Sequence, residues 1–295
     1  MKNVGAKKVL VLGAGGMLGH MVVRVLSGEH AVFGTTRGSH QRGSVLERYL
    51  HRDNWIADLD VRDDTKVEKL FTSLNPDVVI NCVGLVKQKM DAHSYIESIE
   101  INALLPHRLA KLCELHNSKF IQVSTDCVFT CDQGIKEQTD LPNANDLYGR
   151  TKYLGEVNYG TALTLRTSIV GRQIEGRESF FEWVLSQKGN SAHGYKNALY
   201  TGLTTYALSK VIEEIIANHP DLSGLWQVAS EPVSKFYLMK ELNSILSLDI
   251  NLSENITFEC DRRLNGEPFF EKTGIRIPTW KEMIQQFASD QVNYE

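Results

Sequence analysis

The stretch KKVLVLGAGGMLGHMVVRVLSG, residues 7–28, constrains the fold more than any other part of the chain. An apolar run at 7–13 passes directly into Gly13, Gly16 and Gly19, and then into apolar residues at helical spacing that stop at Gly28. Glycines at such a junction permit a tight turn, let the backbone approach a pyrophosphate, and let the helix pack closely on its strand. The helix N-terminus then turns unpaired N–H groups and its positive dipole end toward phosphates. With Met17 and Leu18, the three glycines form the predicted dinucleotide cradle.

The same alternation continues downstream. Strands are expected at 30–36, 54–60, 76–84, 119–129 and 162–170, with helices at 64–75, 93–117 and 148–160. Apolar strands separated by helices indicate βαβ units, and therefore an α/β protein with a Rossmann-type, doubly wound parallel sheet. After about residue 168 the alternation loosens into helices at 178–187, 204–217, 233–246 and 277–289, with too little strand for a second sheet. Residues 1–167 are thus expected to form an NADP-binding domain, to which later segments can add. Residues 168–295 are expected to form mainly a smaller, substrate-binding cap.

Composition excludes several classes. A net charge of −4 leaves no domain-wide basic excess for holding nucleic acid. No run approaches the ~18 apolar residues of a membrane span, and the basic, apolar N-terminus lacks a small-residue cleavage site, so a cytoplasmic protein is expected. Of the five Cys, Cys127 and Cys131 are closely spaced, but no second pair or His cluster completes a zinc set. Reduced thiols and no metal are the expectation.

The end of the second strand addresses the choice of dinucleotide. An acid there would hydrogen-bond both ribose hydroxyls and repel a 2′-phosphate; this chain instead reads GTTRGS, with Thr36 and Arg37. NADPH is favoured, with NADH possible as the alternative. Asp58 and Leu59, closing the third predicted strand, are candidates for the adenine end.

Tyr-x-x-x-Lys occurs at Tyr148/Lys152 and again at Tyr206/Lys210. The first pair opens a helix just after a strand ending in STDCVF, which puts the hydroxyls of Ser124 and Thr125 at the carboxyl edge of the sheet, where ligands bind. Hydride delivery to a carbonyl leaves an alkoxide that needs a proton; a phenol can supply it, with a nearby ammonium to stabilise phenolate. Thr125 or Ser124 would orient the carbonyl oxygen. The second pair has no such partner and is expected to be ordinary helix surface.

These motifs, with NCVG at 81–84, EINALLPHRLA at 100–110 and LTLRTS at 163–168, resemble the extended short-chain dehydrogenase/reductases, and most closely the dTDP-4-dehydrorhamnose reductase branch. The resemblance implies a triad of Thr125, Tyr148 and Lys152, with Asn102 supporting a water relay beside Lys152. It places Asn81, Cys82, Val83 and Gly84 in a loop beneath the nicotinamide. It further implies reduction of the 4-keto group of a nucleotide-diphosphate sugar, in surface polysaccharide precursor synthesis; a homodimer is one assembly open to such a chain.

Two departures bear on the sugar. The branch usually reads STDYVF and RTSW, whereas this chain has Cys127 and Ile169. Smaller side chains at both places point to a larger substituent, as in a UDP-2-acetamido-2,6-dideoxy-4-hexulose, beside dTDP-4-dehydrorhamnose itself. Lys87, Arg262 and Arg263 are candidates for the sugar diphosphate. A dehydratase would carry a second acid where Cys127 stands, and an epimerase favours an acidic ribose contact. A non-catalytic NADP-binding module is the alternative from another class.

Overall fold

In the computed structural model, which describes residues 5–39, 44–86, 95–132, 134–290 and 294, the run KVLVL forms β1 (Lys8–Leu12). Its apolar side chains are buried on both faces, as a central parallel strand requires. α1 (Gly19–Leu26) and β2 (Ala31–Thr35) follow. β3 is only Trp55–Ile56, because Asp58 adopts a left-handed φ of 56° that ends the strand predicted at 54–60. α2 (Asp64–Leu74), capped by Asp63, leads to β4 (Val78–Asn81). The helix predicted at 93–117 is divided into α3 (Tyr95–Ser98), a π-helical segment (Ile99–Leu104) and α4 (Leu105–Leu115). β5 (Lys119–Thr125) runs into a 3-10 turn (Asp126–Val128), and α5 (Leu147–Leu154) stops at Gly155, short of the predicted residue 160.

β6 (Leu163–Thr167) is followed by β7 (Ile169–Val170), α6 (Phe180–Ser186), β8 (Ser191–Tyr200), β9 (Leu203–Thr204), α7 (Thr205–Asn218) and β10 (Gly224–Gln227). Then come β11 (Val233–Ser234), α8 (Lys235–Leu246), β12 (Asn251–Arg262), α9 (Glu267–Thr273) and α10 (Trp280–Ser289). The large sheet has seven parallel strands in the order β10-β6-β5-β4-β1-β2-β3. Alternate residues of β1 feed opposite layers: Val9 and Val11 pack with Val22, Leu208 and Ile212, while Leu10 and Leu12 pack with Phe71, Leu105 and Leu109. The sheet is therefore covered on both faces, the doubly wound arrangement that the alternation of strand and helix requires.

Two expectations need correction. The C-terminal half does carry its own sheet, three strands in the order β11-β8-β12, with β8 of 10 residues and β12 of 12. These strands were hidden in the sequence because most of β12 is exposed and the buried positions of β8 are mainly small residues, Ala192, Gly194 and Ala198, so SAHGYKNALY and NLSENITFECDR lack the apolar alternation of a core strand. The five thiols are not all reduced: Cys131 and Cys260 form a disulfide, with Cα atoms 4.5 Å apart. Their separation of 129 residues gives no local signal; only the pairing of β12 along β8 carries Cys260 to the loop after β5. In the chain-entropy picture a closed loop of that length stabilises the fold by about 4–5 kcal/mol. Reduction with a dithiol should lower the guanidinium midpoint of unfolding, and a Cys131→Ser, Cys260→Ser variant should be insensitive to the reductant.

Candidate active site

The glycine turn is built by close approach. Gly13 has φ 79°, and a Cβ on Gly19 would stand 2.1 Å from the Gly13 carbonyl oxygen, so the first turn of α1 rests directly on the loop. Thr35 steadies it from β2: its hydroxyl accepts from Gly13 N at 3.3 Å and its carbonyl from Ala14 N at 2.8 Å. Leu18 is buried, while Gly16 is exposed and Met17 half-buried at the open side. The cradle fits a pyrophosphate.

At the edge of this cradle, Thr36 accepts from Trp55 Nε1 and donates to the Gly38 carbonyl, both at 2.9 Å. Arg37 is exposed and lies 3.8 Å from Glu97, which Arg62 also approaches, at 3.7 Å. Arg62, absent from the sequence reading, grips Asp60 and holds its carboxyl down at about 2. Asp58 is exposed, whereas Leu59 is buried under the second core layer and its N–H bonds the Thr36 carbonyl.

The loop after β4 closes the floor. Asn81 is buried; its amide donates to Gln122 at 2.8 Å and its carbonyl oxygen accepts from Val83 N at 3.1 Å. Asn102, in the π-helical segment, accepts from Leu85 N at 2.9 Å and donates to Leu85 O at 3.1 Å, with a longer contact to Thr151. It therefore pins the loop carrying Gly84 against α5. Burial pushes the Cys82 thiol up to about 12, opposed by the neighbouring Lys152.

Three elements deliver the reactive groups. Asp146 caps α5 by accepting from Gly149 N at 2.8 Å. A Cβ on Gly149 would lie 2.3 Å from the Cys127 carbonyl oxygen, so glycine lets α5 press Tyr148 against the turn that follows β5. Tyr148 meets the Thr125 hydroxyl; burial raises the phenol, aided by Cys127 and Asp126 and opposed by Thr125 and Arg262. Lys152 is buried and donates to the Val123 carbonyl at 2.8 Å; burial lowers its ammonium to about 8, while Glu156 and Cys82 act to raise it. Ser124 points the other way: its hydroxyl donates to Glu156 Oε1 at 2.7 Å.

Among the residues expected at the sugar, Cys127 Sγ accepts from Arg262 Nη1 at 2.6 Å, and burial pushes its thiol up to about 12. Ile169 is half-buried in β7 against the main core. Arg263 is committed to Asp261 through a bidentate pair at 2.9 and 2.7 Å. Lys87 lies outside the described residues. Tyr206 and Lys210 lie on α7, which packs against α1, and Lys210 pairs with Glu213 at the surface. Sequence reading also missed Lys235, which burial brings to about 8 and whose charge Asp126, Cys127 and Arg262 all influence. A lysine opening a helix carries no local signal of such a place.

A doubly wound parallel sheet opening on this glycine turn, with Thr125, Tyr148 and Lys152 at its carboxyl edge, is the architecture of the extended short-chain dehydrogenase/reductases. Within that class, the chain belongs to the RmlD substrate binding domain family, whose model matches residues 7–234. It is 34% identical over 167 residues, 54% of this chain, to a probable low-salt glycan biosynthesis reductase of Haloferax volcanii. It is 31% identical over 156 residues, 52% of this chain, to a dTDP-4-dehydrorhamnose reductase of Mycolicibacterium smegmatis. The aligned stretches span about half the length of these relatives, 52% and 42% respectively. In architecture it resembles a dTDP-4-dehydrorhamnose reductase of Bacillus anthracis solved in complex with NADP, at TM-score 0.78 and 18% identity, covering 96% of this chain and 98% of that one.

Two outcomes follow from this geometry. Gly19→Ala should force the helix away from Gly13 and weaken NADPH binding at least about tenfold, read by fluorescence titration. Lys152 and Lys235 titrate in the fold near 8 but unfolded near ~10.4, so the unfolded chain binds more protons between those values and stability rises with pH there. Cys82 and Cys127 act oppositely, holding protons to about 12 that unfolded thiols release near ~8.5. Cys113, buried and raised still further, adds a third such thiol, so the melting temperature of the cofactor-free protein should change little up to about pH 8.5 and fall at higher pH.

Proposed function

We propose that the chain is an NADPH-dependent reductase of the 4-keto group of a nucleotide-activated 6-deoxy sugar, serving surface polysaccharide precursor synthesis. The observation that carries this reading is the Tyr148 phenol held at the Thr125 hydroxyl, with Lys152 one turn along α5 and its ammonium near Cys82 of the loop that abuts Gly13. The nicotinamide, when bound, supplies the hydride to the carbonyl carbon. Thr125 would orient the carbonyl oxygen, and Tyr148 would donate its proton to that oxygen as negative charge develops there. Burial helps in this direction, because a raised phenol remains protonated at neutral pH and is ready as an acid. Lys152, held at Val123 and facing Glu156, keeps positive charge beside the reacting groups.

Arg37, exposed just beyond β2, supplies a guanidinium for a 2′-phosphate, which supports NADPH over NADH. The smaller Cys127 and Ile169 support a substituted sugar such as a UDP-2-acetamido-2,6-dideoxy-4-hexulose beside dTDP-4-dehydrorhamnose. No helix among the described residues is long and apolar enough to cross a membrane. We place the protein in the cytoplasm, where NADPH and nucleotide sugars are made and where the Cys131–Cys260 bond would be open to reduction. Exposed Ile96, Ile99 and Leu154 on neighbouring helices offer a homodimer the apolar surface it would need.

The test is NADPH consumption with a panel of dTDP-, GDP- and UDP-4-keto-6-deoxy sugars. Tyr148→Phe should lose turnover by roughly a hundredfold or more while binding NADPH as the wild type does. No consumption with any sugar would replace the reductase by a non-catalytic NADP-binding module. Turnover of dTDP-4-dehydrorhamnose at least as efficient as that of the UDP-acetamido sugar would remove the argument from Cys127 and Ile169.

A further inference from the structure

Lys235 has no part in the chemistry above, yet its surroundings are specific. Its ammonium lies 3.8 Å from the ring centroid of Tyr200 and 4.5 Å from that of Phe180. Aromatic faces, which attract a cation while excluding water, hold it in place. The charged or ionisable groups that reach it are Asp126, Cys127 and Arg262. Tyr148 feels the same three groups. Lys235 and the proton donor therefore share one set of neighbours; α8 brings Lys235 there, while Tyr200 ends β8 and Arg262 ends β12.

Donors exceed acceptors in this corner. The Tyr200 hydroxyl and Arg262 Nε are buried without a hydrogen-bond partner. Arg262 spends one terminal nitrogen on the weak acceptor Cys127 Sγ. The acid at hand is Asp126, which already accepts from the Thr125 hydroxyl at 3.2 Å. Arg263 adds nothing to the surplus, since Asp261 satisfies it. A sugar hydroxyl corrects the imbalance only in part, because it brings a donor with its two acceptors and no charge. A phosphate brings only acceptors, and its charge matches two cations screened by one carboxylate.

We propose that Lys235, Arg262 and Tyr200 form the subsite that binds the phosphate adjoining the sugar ring of the nucleotide sugar, with Asp126 beside it to accept from a sugar hydroxyl. This rests on the reductase reading, and it names the residues that hold the substrate while Tyr148 acts. Anchoring the chain of atoms one phosphate away from the ring fixes how far the ring reaches toward Tyr148. It also explains why small side chains are tolerated at Cys127 and Ile169: orientation comes from the phosphate rather than from stacking on the sugar.

The experiment is calorimetric titration of the NADPH-loaded protein with UDP and dTDP, each compared with its monophosphate and nucleoside. The wild type should bind at least one diphosphate. Lys235→Gln should weaken that diphosphate at least about tenfold and leave the monophosphate, nucleoside and NADPH affinities unchanged. Lys235→Arg should recover most of the loss, and Tyr200→Phe should show a smaller loss with the same selectivity. Equal diphosphate binding by Lys235→Gln and wild type would overturn the subsite and leave the reductase reading standing. A parallel loss of nucleoside and NADPH affinity would make Lys235 a structural residue and overturn it as well. A wild type that binds NADPH but neither diphosphate would overturn both.

Discussion

The bidentate pair between Arg166 and Glu156 joins the parts on which the site depends. Arg166 donates Nε and Nη2 to the two carboxylate oxygens at 2.9 and 2.7 Å, with both side chains almost wholly buried, and Ser124 adds a third donor at 2.7 Å. The three residues belong to β6, to the chain just beyond α5, and to β5. Those last two elements carry Thr125, Tyr148 and Lys152. Two charges taken out of water lose several kcal/mol of hydration each, and only close, well-aligned contact offsets that loss. The arrangement therefore tolerates little play between β5, β6 and α5. Glu156 also opposes the effect of burial on Lys152, so the joint that fixes position helps to maintain charge.

The second sheet serves the first by bringing basic and aromatic groups over its carboxyl edge. β8 and β12 end at Tyr200 and Arg262, paired in register, and α8 begins at Lys235. The Cys131–Cys260 bond ties the loop after β5 to β12, two residues before Arg262. At the turn after β5, Cys127 Sγ accepts from the Arg262 guanidinium, so β12 brings a cation to that turn.

Much of the large sheet was legible because its signals are local. Strand, glycine turn and helix lie within about twenty residues, and the burial of KVLVL on both faces follows from an unbroken apolar run. The pair Tyr148 and Lys152 was legible for a similar reason, being one helical turn apart after a strand ending in hydroxyls. Ser124 and Thr125 could not be separated by composition, but pleating separates them: successive residues face opposite sides, so one meets Glu156 and the other meets Tyr148. Arg262 and Arg263 divide in the same way. One reaches Cys127, and the other is held by Asp261.

By itself, the sequence determined the βα order, the glycine cradle and the helix that presents the phenol, because each depends on neighbours a few residues apart. The tertiary structure decided the half that the C-terminal segments build over the sheet's carboxyl edge. Lys235, Tyr200 and Arg262 converge on Asp126 and Cys127 from separate strands and a helix, and no spacing along the chain encodes that convergence. Of the strands that bring them, β12 is mostly exposed and β8 buries mainly small residues, so they lack the apolar alternation by which a core strand announces itself. Contacts made across more than a hundred residues become visible only when the backbone has closed.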